Sequence, residues 1–181
     1  MSVYIETERL KLRDWEEKDL LPFQRMNANR QVRRFFPSIL SYRRSELDMQ
    51  AMQKNLEQDG MGLFAVELKE SGEWIGFIGV NHIPEKSQYS FEELPFYEIG
   101  WRLIPEVWDN GIATEGAEAV VEYVKEKGVA EIYSMTAESN TASRRVMEKI
   151  GMALKDTFEL PGVSKNHPLQ PQVRYYKQLN E

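Results

Sequence analysis

The residues best suited to chemistry lie where a predicted strand ends and a helix begins, between Phe96 and Gly116. An Asn110-Gly111 pair opens the helix, and the small Ala113 and Gly116 leave one side of its first turn open. The first amides of a helix have no partner within the helix, and the helix dipole adds positive potential there. This segment therefore predicts a site for a phosphate or pyrophosphate. The alternative is a helix start without a ligand, because glycine accepts positive φ in many ordinary turns.

Missing motifs narrow the class of protein. The stretch lacks the G-x-G-x-x-G of dinucleotide-binding enzymes, and no Gly-Lys-Ser or Gly-Lys-Thr of a P-loop follows it. A dehydrogenase or nucleotide-binding kinase is therefore disfavoured. The sequence has no cysteine and only two histidines, which excludes disulfides, thiolate nucleophiles and cysteine metal sites. No spacing of Glu, Asp and His indicates a metal site.

Composition fits one globular domain over residues 1–181. The chain is 41% hydrophobic and 29% charged, which allows a sizeable core and a polar surface. Its net charge of −6 disfavours nucleic-acid binding and weakly favours a cationic partner, or simply keeps the protein soluble. Residues 1–12 lack the apolar centre of a signal peptide, and no stretch approaches the roughly 18 apolar residues of a membrane helix. We therefore expect a cytoplasmic protein with no membrane partner.

Hydrophobic periodicity predicts the elements that must position the site. The strand at 96–104, the following helix and the strand at 129–137 form one parallel βαβ unit, and Ser71-Gly72 closes an antiparallel hairpin. The order of elements indicates an α+β, mixed α/β fold. The predicted helices span residues 16–29, 43–58, 112–127 and 140–150. The predicted strands span residues 9–14, 63–68, 73–80, 96–104, 129–137, 152–160 and 173–179.

Four stretches in the same order carry a resemblance to a known family. Trp108-x-x-Gly111-x-Ala113 resembles the acyl-CoA pyrophosphate loop of the GNAT superfamily of N-acetyltransferases, and its surroundings resemble the RimJ/RimL-like branch that acetylates ribosomal proteins. Three further stretches resemble the same branch, at residues 6–13, 76–79 and 140–152. The resemblance spans nearly the whole chain. It implies a central, mostly antiparallel sheet with one splayed parallel strand pair, flanked by about four helices.

The resemblance also implies an activity and a cofactor. We expect transfer of an acetyl group from acetyl-CoA to a primary amine by direct attack in a ternary complex, without a metal. The acceptor would be a protein N-terminus or a small molecule, and the protein a monomer or homodimer. Leu103 and Ile104 should pair with the pantetheine amides, and an amide near Leu103 should bind the oxyanion. The residues expected to bind acetyl-CoA are Leu103, Ile104, Trp108, Asp109, Asn110, Gly111, Ile112, Ala113, Thr114 and Asn140.

Two side chains are catalytic candidates on the same grounds. Glu98 lies on the strand expected to splay from its neighbour, and would act as general base, directly or through a water. It would otherwise be a solvent-facing strand residue or orient the acceptor's ammonium. Ser143 would donate a proton to the leaving thiolate, because the tyrosine that many family members use is Met147 here. A serine in the first turn of a helix is otherwise a common cap residue.

Departures from the family pattern keep other functions open. Asp109 stands where the branch usually has glycine, and puts a negative charge beside the expected pyrophosphate. With the missing tyrosine, it motivates an acyl-CoA-binding regulator or sensor with a degenerate site. A transferase of succinyl or longer acyl groups is a further alternative, which a cation near Leu103 would favour. Arg33 and Arg34 would contact an acidic acceptor or form a solvated face, and the loops at 84–95 and 161–172 should select the acceptor.

Overall fold

The computed structural model describes residues 1–180 and contains the predicted helices and strands, with one additional strand. None of the helices in this range is both long enough and apolar enough to cross a membrane. The helices are α1 (Leu20–Asn27), α2 (Tyr42–Asp59), α3 (Ile112–Glu126) and α4 (Thr141–Lys149). The strands are β1 (Val3–Glu6), β2 (Leu10–Arg13), β3 (Leu63–Leu68), β4 (Trp74–Ile83), β5 (Phe96–Leu103), β6 (Glu131–Ala137), β7 (Ala153–Glu159) and β8 (Pro171–Gln178).

All eight strands form one sheet in the order β1-β2-β3-β4-β5-β6-β8-β7. Only β5 and β6 are parallel, and α3 is the crossover between them. The expected mixed α/β fold with a mostly antiparallel sheet and four helices is confirmed. Sequence periodicity did not predict β1, because it is a four-residue edge strand whose pairing with β2 is interrupted by a bulge.

The parallel pair diverges shortly after it forms. Backbone pairing between β5 and β6 is limited to Tyr97 with Ile132 and Glu98 with Tyr133. The Ser134 hydroxyl donates to the Ile99 carbonyl at 2.8 Å, just where the pairing stops. Beyond it β6 continues to pair with β8, while β5 continues to pair with β4. A gap in the sheet therefore opens along the second half of β5, as the family resemblance implied.

Helices cover both faces of the sheet, and β4 shows which helix lies on which face. Phe77 packs against Trp15 and Phe23, on the side of α1, whereas Ile78 approaches Gly116 of α3. Successive side chains of a strand point to opposite faces. The α2 helix packs beside α1, and α4 packs beside α3. Each face of the sheet thus carries a pair of helices.

The same alternation divides the side chains of β5 between the two faces. Arg102 is paired with Phe77 across the strands, so its side chain lies on the α1 face, together with that of Glu98. Trp101 is paired with Ile78 and lies on the α3 face. A Cβ atom at Gly100 would meet nothing within 4 Å, so the surface between Glu98 and Arg102 is open.

Gly116 has a different role from the one expected from the sequence. A Cβ atom there would lie 2.3 Å from Ile78 Cδ1 and 3.4 Å from Leu10 Cδ1. The position faces the sheet, because it lies more than one turn beyond the start of α3. Its lack of a side chain lets α3 approach β4 closely and does not open the first turn to an anion.

Candidate active site

A cleft of about 650 Å³ occupies the gap between the diverging strands. Its walls come from β5, the loop after it, the start of α3, the middle of β6, α4 and the segment before α2. Ile104 and Asn110 are the two residues predicted for the site that do not line it. The predicted residues that do line it are Glu98, Leu103, Trp108, Asp109, Gly111, Ile112, Ala113, Thr114, Asn140 and Ser143.

The start of α3 is open to a ligand. Gly111 is its N-cap residue, with φ of 74°, and no side chain caps the helix. The first bond within the helix runs from the Glu115 amide to the Gly111 carbonyl, so the amides of residues 112–114 have no partner in the helix. Ala113 and Thr114 border the cleft. These amides and the dipole of a 15-residue helix suit a pyrophosphate.

The loop before α3 is held by its own side chains. The Trp108 indole N–H donates to the Leu103 carbonyl at 2.9 Å, which ties the loop back to β5. The Asn110 amide group donates to the carbonyls of Val107 and Trp108, at 3.3 and 2.9 Å. Asn110 therefore shapes the loop from outside the cleft, although we expected it to contact the cofactor.

Arg9 supports the same loop, which sequence reasoning did not foresee. Its guanidinium donates to the Asn110 carbonyl at 2.9 Å and pairs with Glu115 at 2.7 Å. Burial acts to raise the pKa of Glu115, but hydrogen bonds from Thr7 and Arg9 outweigh it and hold the pKa below its usual value. The one acidic side chain in the first turn of α3 is thus neutralised by an arginine.

The conformation of Asp109 suits the glycine that the family resemblance implied at this position. Its φ is 62°, in the left-handed region that glycine adopts freely and that aspartate and asparagine tolerate better than other residues. Asp109 is exposed at the edge of the cleft and does not cap α3. The position therefore requires a left-handed backbone conformation. Aspartate can adopt this conformation, and its carboxylate is an additional feature that the conformation tolerates.

Along β5, the backbone N–H and C=O groups of successive residues point alternately toward β4 and toward the gap. The Ile104 amide donates to the Ile75 carbonyl of β4 at 2.9 Å, and the Ile104 carbonyl accepts from the Val107 amide. Both polar groups of Ile104 are therefore already bonded. Successive residues of a strand direct their amides to opposite sides, so the Leu103 amide is directed toward the gap. A ligand extended along the gap would pair with Trp101 and Leu103, and not with Ile104.

Glu98 lies where the gap begins, on the α1 face. It is the last β5 residue paired with β6, and it is part-buried at the inner end of the cleft. Burial raises its pKa to about 7, and the Met135 backbone amide acts weakly in the opposite direction. A carboxyl group with this pKa exists in both protonation states near neutral pH, as a general base requires.

The start of α4 brings Ser143 and Asn140 to the opposite wall. Asn140 is the N-cap residue: its side chain accepts from the Ser143 amide at 3.3 Å and donates to Thr136 at 2.9 Å. The Ser143 hydroxyl makes no hydrogen bond with any residue of the described chain, 1–180, so it is available to a ligand. Met147 is buried and also lines this wall.

Positive charge surrounds the cleft despite the acidic composition. Arg34 lies over the Trp108 ring, 5.1 Å from its centroid, and α4 contributes Arg145 and Lys149. The last two are one helical turn apart, and this spacing is the sequence signal that could have found them. No cluster of three His, Cys, Asp or Glu side chains that could hold a metal occurs within residues 1–180.

Comparisons with known proteins agree with this geometry. The profile of the acetyltransferase (GNAT) domain matches residues 9–153. The uncharacterized N-acetyltransferase YnaD of Bacillus subtilis is 30% identical over 158 residues, which cover 87% of this chain and 86% of YnaD. A GNAT-family acetyltransferase structure from Bacillus anthracis superposes with a TM-score of 0.77 and 26% identity, over 98% of this chain and 99% of the other.

A more distant structure shares the fold. RimL, a ribosomal α-N-protein acetyltransferase solved with coenzyme A, has a TM-score of 0.76 at 15% identity, over 98% of both chains. The profile match and the identity to YnaD establish the family. The chain belongs to the GNAT family and is an acetyl-transferring enzyme.

Proposed function

We propose that the chain acts as a single acetyltransferase domain that transfers acetyl from acetyl-CoA to a primary amine in a ternary complex. One observation carries the proposal: the gap between β5 and β6 has an uncapped helix start at one end and a carboxyl group with a pKa of about 7 at the other. The two ends suit the two substrates. Residues between them hold the reacting groups close, which supplies much of the acceleration.

The cosubstrate fits the α3 side of the gap. The amides at the start of α3 would bind the pyrophosphate, with Arg34, Arg145 and Lys149 around it. The Trp101 and Leu103 backbone would pair with the pantetheine amides, which places the thioester near the middle of β5. Asn140 would contact the cofactor through whichever of its polar atoms the cap leaves available.

Three groups of the chain would then carry the reaction. Glu98 removes a proton from the acceptor amine, directly or through a water, because an alkylammonium cannot attack a thioester. The Leu103 amide donates to the carbonyl oxygen as negative charge develops on it. Ser143 donates its hydroxyl proton to the departing sulfur and regains a proton from the attacking nitrogen, which loses one as the amide forms; Met147 cannot replace it in this role.

Calorimetric titration of acetyl-CoA tests the cosubstrate site. Gly111→Asp places a carboxylate beside the open amides, whereas Gly111→Asn places a neutral side chain of the same shape at the same positive φ. We expect micromolar-range binding by the parent, weaker binding by the Asn variant, and a further loss of about tenfold or more with Asp. Equal affinities in the two variants would show that no anion binds there.

A panel of amines then separates the enzyme from a sensor. Turnover is followed as release of free coenzyme A, with Glu98→Gln and Ser143→Ala measured beside the parent. Binding of acetyl-CoA without turnover of any amine would favour the acyl-CoA-binding regulator, a possibility that Asp109 and Met147 raise. Loss of turnover in Glu98→Gln with unchanged acetyl-CoA affinity would support the assignment of the base.

A further inference from the structure

Two arginines lie beside the cleft, one buried and one half-buried. Arg33 is only 8% exposed, which excludes the solvated face that its sequence context allowed. The Nε atom of Arg102 is buried without a hydrogen-bond partner. Both guanidinium groups contact the Phe36 ring, at 4.1 and 5.1 Å from its centroid. Two like charges thus lie close together, against one aromatic ring.

No carboxylate neutralises these two charges. Among residues 1–180, no Asp or Glu lies within ion-pair distance of either guanidinium. Asp48 is the acidic group nearby, and it is paired with Arg44 at 3.0 Å. Contacts with aromatic rings recover only part of the free energy that removal of an ion from water costs. The pair is therefore costly to the isolated fold.

A neutral chain of hydrogen bonds fixes Arg102 in place. Arg102 donates to the Asn27 side-chain oxygen at 2.8 Å, Asn27 donates to the Ser45 hydroxyl at 3.0 Å, and that hydroxyl donates to the Ser41 carbonyl at 3.1 Å. Asn27 and Ser45 are fully buried. An aspartate at position 27 would have the same shape and would neutralise Arg102. This series of hydrogen bonds orients the Arg102 guanidinium without neutralising its charge, which can therefore bind an anion.

These groups line a depression of about 540 Å³ next to the cleft, which we call the arginine pocket. Its charged members are Arg33, Arg44, Arg102 and Asp48, and the 39–41 segment forms its rim. Arg102 lines both the arginine pocket and the cleft, so the two spaces meet at its side chain. The pocket carries an excess of positive charge in a chain whose net charge is −6.

The pKa values of the two arginines are both lowered. Burial lowers the pKa of Arg102 to about 9, and repulsion from Arg33 adds to this effect, while Asp48 opposes it. Burial likewise lowers the pKa of Arg33. A bound anion would reverse both effects.

The arginine pocket and Glu98 lie on the same face of β5. Glu98 and Arg102 are four residues apart, so their Cα atoms are separated by about 13 Å at about 3.3 Å per residue. Gly100 between them leaves the surface open. One molecule of modest length can therefore reach both side chains.

We propose that the amine acceptor carries an anionic group, either a carboxylate or a phosphate; this inference rests on the proposed function. The anionic group binds Arg33 and Arg102 in the arginine pocket, while the amine of the same molecule lies at Glu98. Planar guanidinium groups suit both anions, because their N–H groups match the spacing of the anion's oxygens. The positive charge of the arginine pocket thus selects an anionic acceptor, whereas the net charge of the protein favours a cationic one.

An acidic acyl group is the competing occupant, since Arg102 is a cation next to Leu103. The two side chains point to opposite faces of β5, however, and the arginine pocket lies on the α1 face, away from the start of α3. An anion on the acceptor reaches this face without crossing the sheet. Succinyl-CoA is therefore included as a test substrate.

The test compares matched amines that differ only in charge. The pairs are ω-aminocarboxylates and ω-aminoalkyl phosphates against ω-amino alcohols of equal length, and Ser-Glu against Ser-Gln dipeptide amides. We expect kcat/KM to favour the anionic member by about tenfold to a hundredfold, as for a charged hydrogen bond. The pair with the largest ratio identifies the source of the anion. Equal values in every pair, or a preference for succinyl-CoA over acetyl-CoA, would overturn the proposal.

Two variants show whether the arginine pocket causes the preference. Asn27→Asp supplies an internal counter-charge and Arg102→Met removes the cation, so the ratio should fall to about one in both. Both variants should also raise the melting temperature, because each removes an uncompensated buried charge. A structural role for Arg102 predicts the opposite shift on Arg102→Met. Arg25→Met, at an exposed position of α1, is the control for loss of charge and should keep the parent's ratio.

Calorimetry of the same matched pairs with coenzyme A-saturated protein gives a readout that needs no turnover. If no amine is acetylated, the proposed function fails, but the anion preference is still measured as a ratio of affinities. If neutral and anionic amines react equally, only the present inference fails. The two proposals can thus fail separately.

Discussion

Glu98 is an ordinary strand residue in sequence, and its surroundings make it suitable as a base. Ionisation of a part-buried carboxyl group is penalised, and the pKa is raised to about 7. No local pattern in the sequence reports this burial, which depends on β6 and on the loop at 84–95. The sequence named the residue through a family resemblance, and the structure supplies the physical reason for its raised pKa.

The pH dependence of turnover tests this role. Below about pH 7, kcat/KM should fall about tenfold per pH unit, because Glu98 must be ionised to accept the proton of the acceptor ammonium. Between about pH 7 and about pH 10 it should be nearly level, because Glu98 is ionised and the acceptor is still an ammonium. In Glu98→Gln the break near pH 7 should disappear, and the remaining activity should rise up to about pH 10, because only acceptor that is already neutral can react. A break that persists in this variant would assign the ionisation to another group.

Stability against pH checks the same pKa without any substrate. The folded pKa lies above the unfolded value of about 4.3, so the folded state binds the extra proton and the parent loses stability as pH rises from about 4 to 7. Glu98→Gln lacks this loss, so its advantage in unfolding free energy should grow across that range and then level off. Glu118→Gln, on the exposed face of α3, should show no such trend.

At the residue scale, the sequence predicts local properties of a residue, such as its backbone conformation and its capping of a nearby helix. Gly111 at a helix start and Asn140 as an N-cap lie where their conformational and capping preferences place them. Contacts set by distant chain segments were not predictable. The bonded amide of Ile104 depends on its register with β4, and the position of Arg33 beside Arg102 depends on how the segment before α2 packs against β5.

At the scale of elements, periodicity predicted seven of the eight strands and all four helices, but not how the strands separate. The divergence of β5 from β6 follows from where their pairing ends, which is a tertiary property. Each strand keeps its other neighbour, so the gap costs few backbone hydrogen bonds. The helix start can face this gap because α3 lies close to the sheet at Gly116.

A double-mutant cycle tests the close approach of α3 to β4. Gly116→Ala improves helix propensity by about 1 kcal/mol, but its Cβ would overlap Ile78 Cδ1, so we expect a net loss of about 1–2 kcal/mol. Ile78→Val removes that atom and costs about 1 kcal/mol in the parent. In the Gly116→Ala background it should be neutral or stabilising, as measured by denaturant unfolding.

The control for this cycle is a second truncation in the core. Ile132→Val in β6 is equally buried but does not meet position 116. Its cost should be the same in both backgrounds. Additivity of Gly116→Ala with Ile78→Val would contradict the close packing and would leave helix propensity as the only effect of the glycine.

At the scale of the whole molecule, net charge and local charge point in opposite directions. The chain carries −6 overall, which should repel a polyanion such as coenzyme A. The cleft nevertheless has cations on two sides, Arg34 in the segment before α2 and Arg145 and Lys149 on α4, and the positive end of the α3 dipole on a third. Composition predicts the field of the net charge. It does not predict the local positive field of the cleft, because the residues that produce this field come from segments that are distant in sequence.

The dependence of acetyl-CoA affinity on salt shows which field dominates. At about 0.1 M salt the screening length is about 10 Å, and at about 1 M it is about 3 Å. If the cleft cations dominate, added salt screens attraction and the dissociation constant should rise several-fold across this range. If the net charge dominates, salt screens repulsion and the constant should fall. We expect the rise, because charges within about one screening length outweigh more distant ones.

Charge variants assign the effect to particular residues. Arg145→Gln and Lys149→Gln should each weaken binding at low salt and flatten its salt dependence, because each removes a cation from the cleft wall. Lys125→Gln makes the same change in net charge at the far end of α3, where the side chain is exposed. It should leave both quantities as in the parent. Equal effects of all three substitutions would mean that binding responds to the net charge of the molecule, and that the cleft cations have no special role.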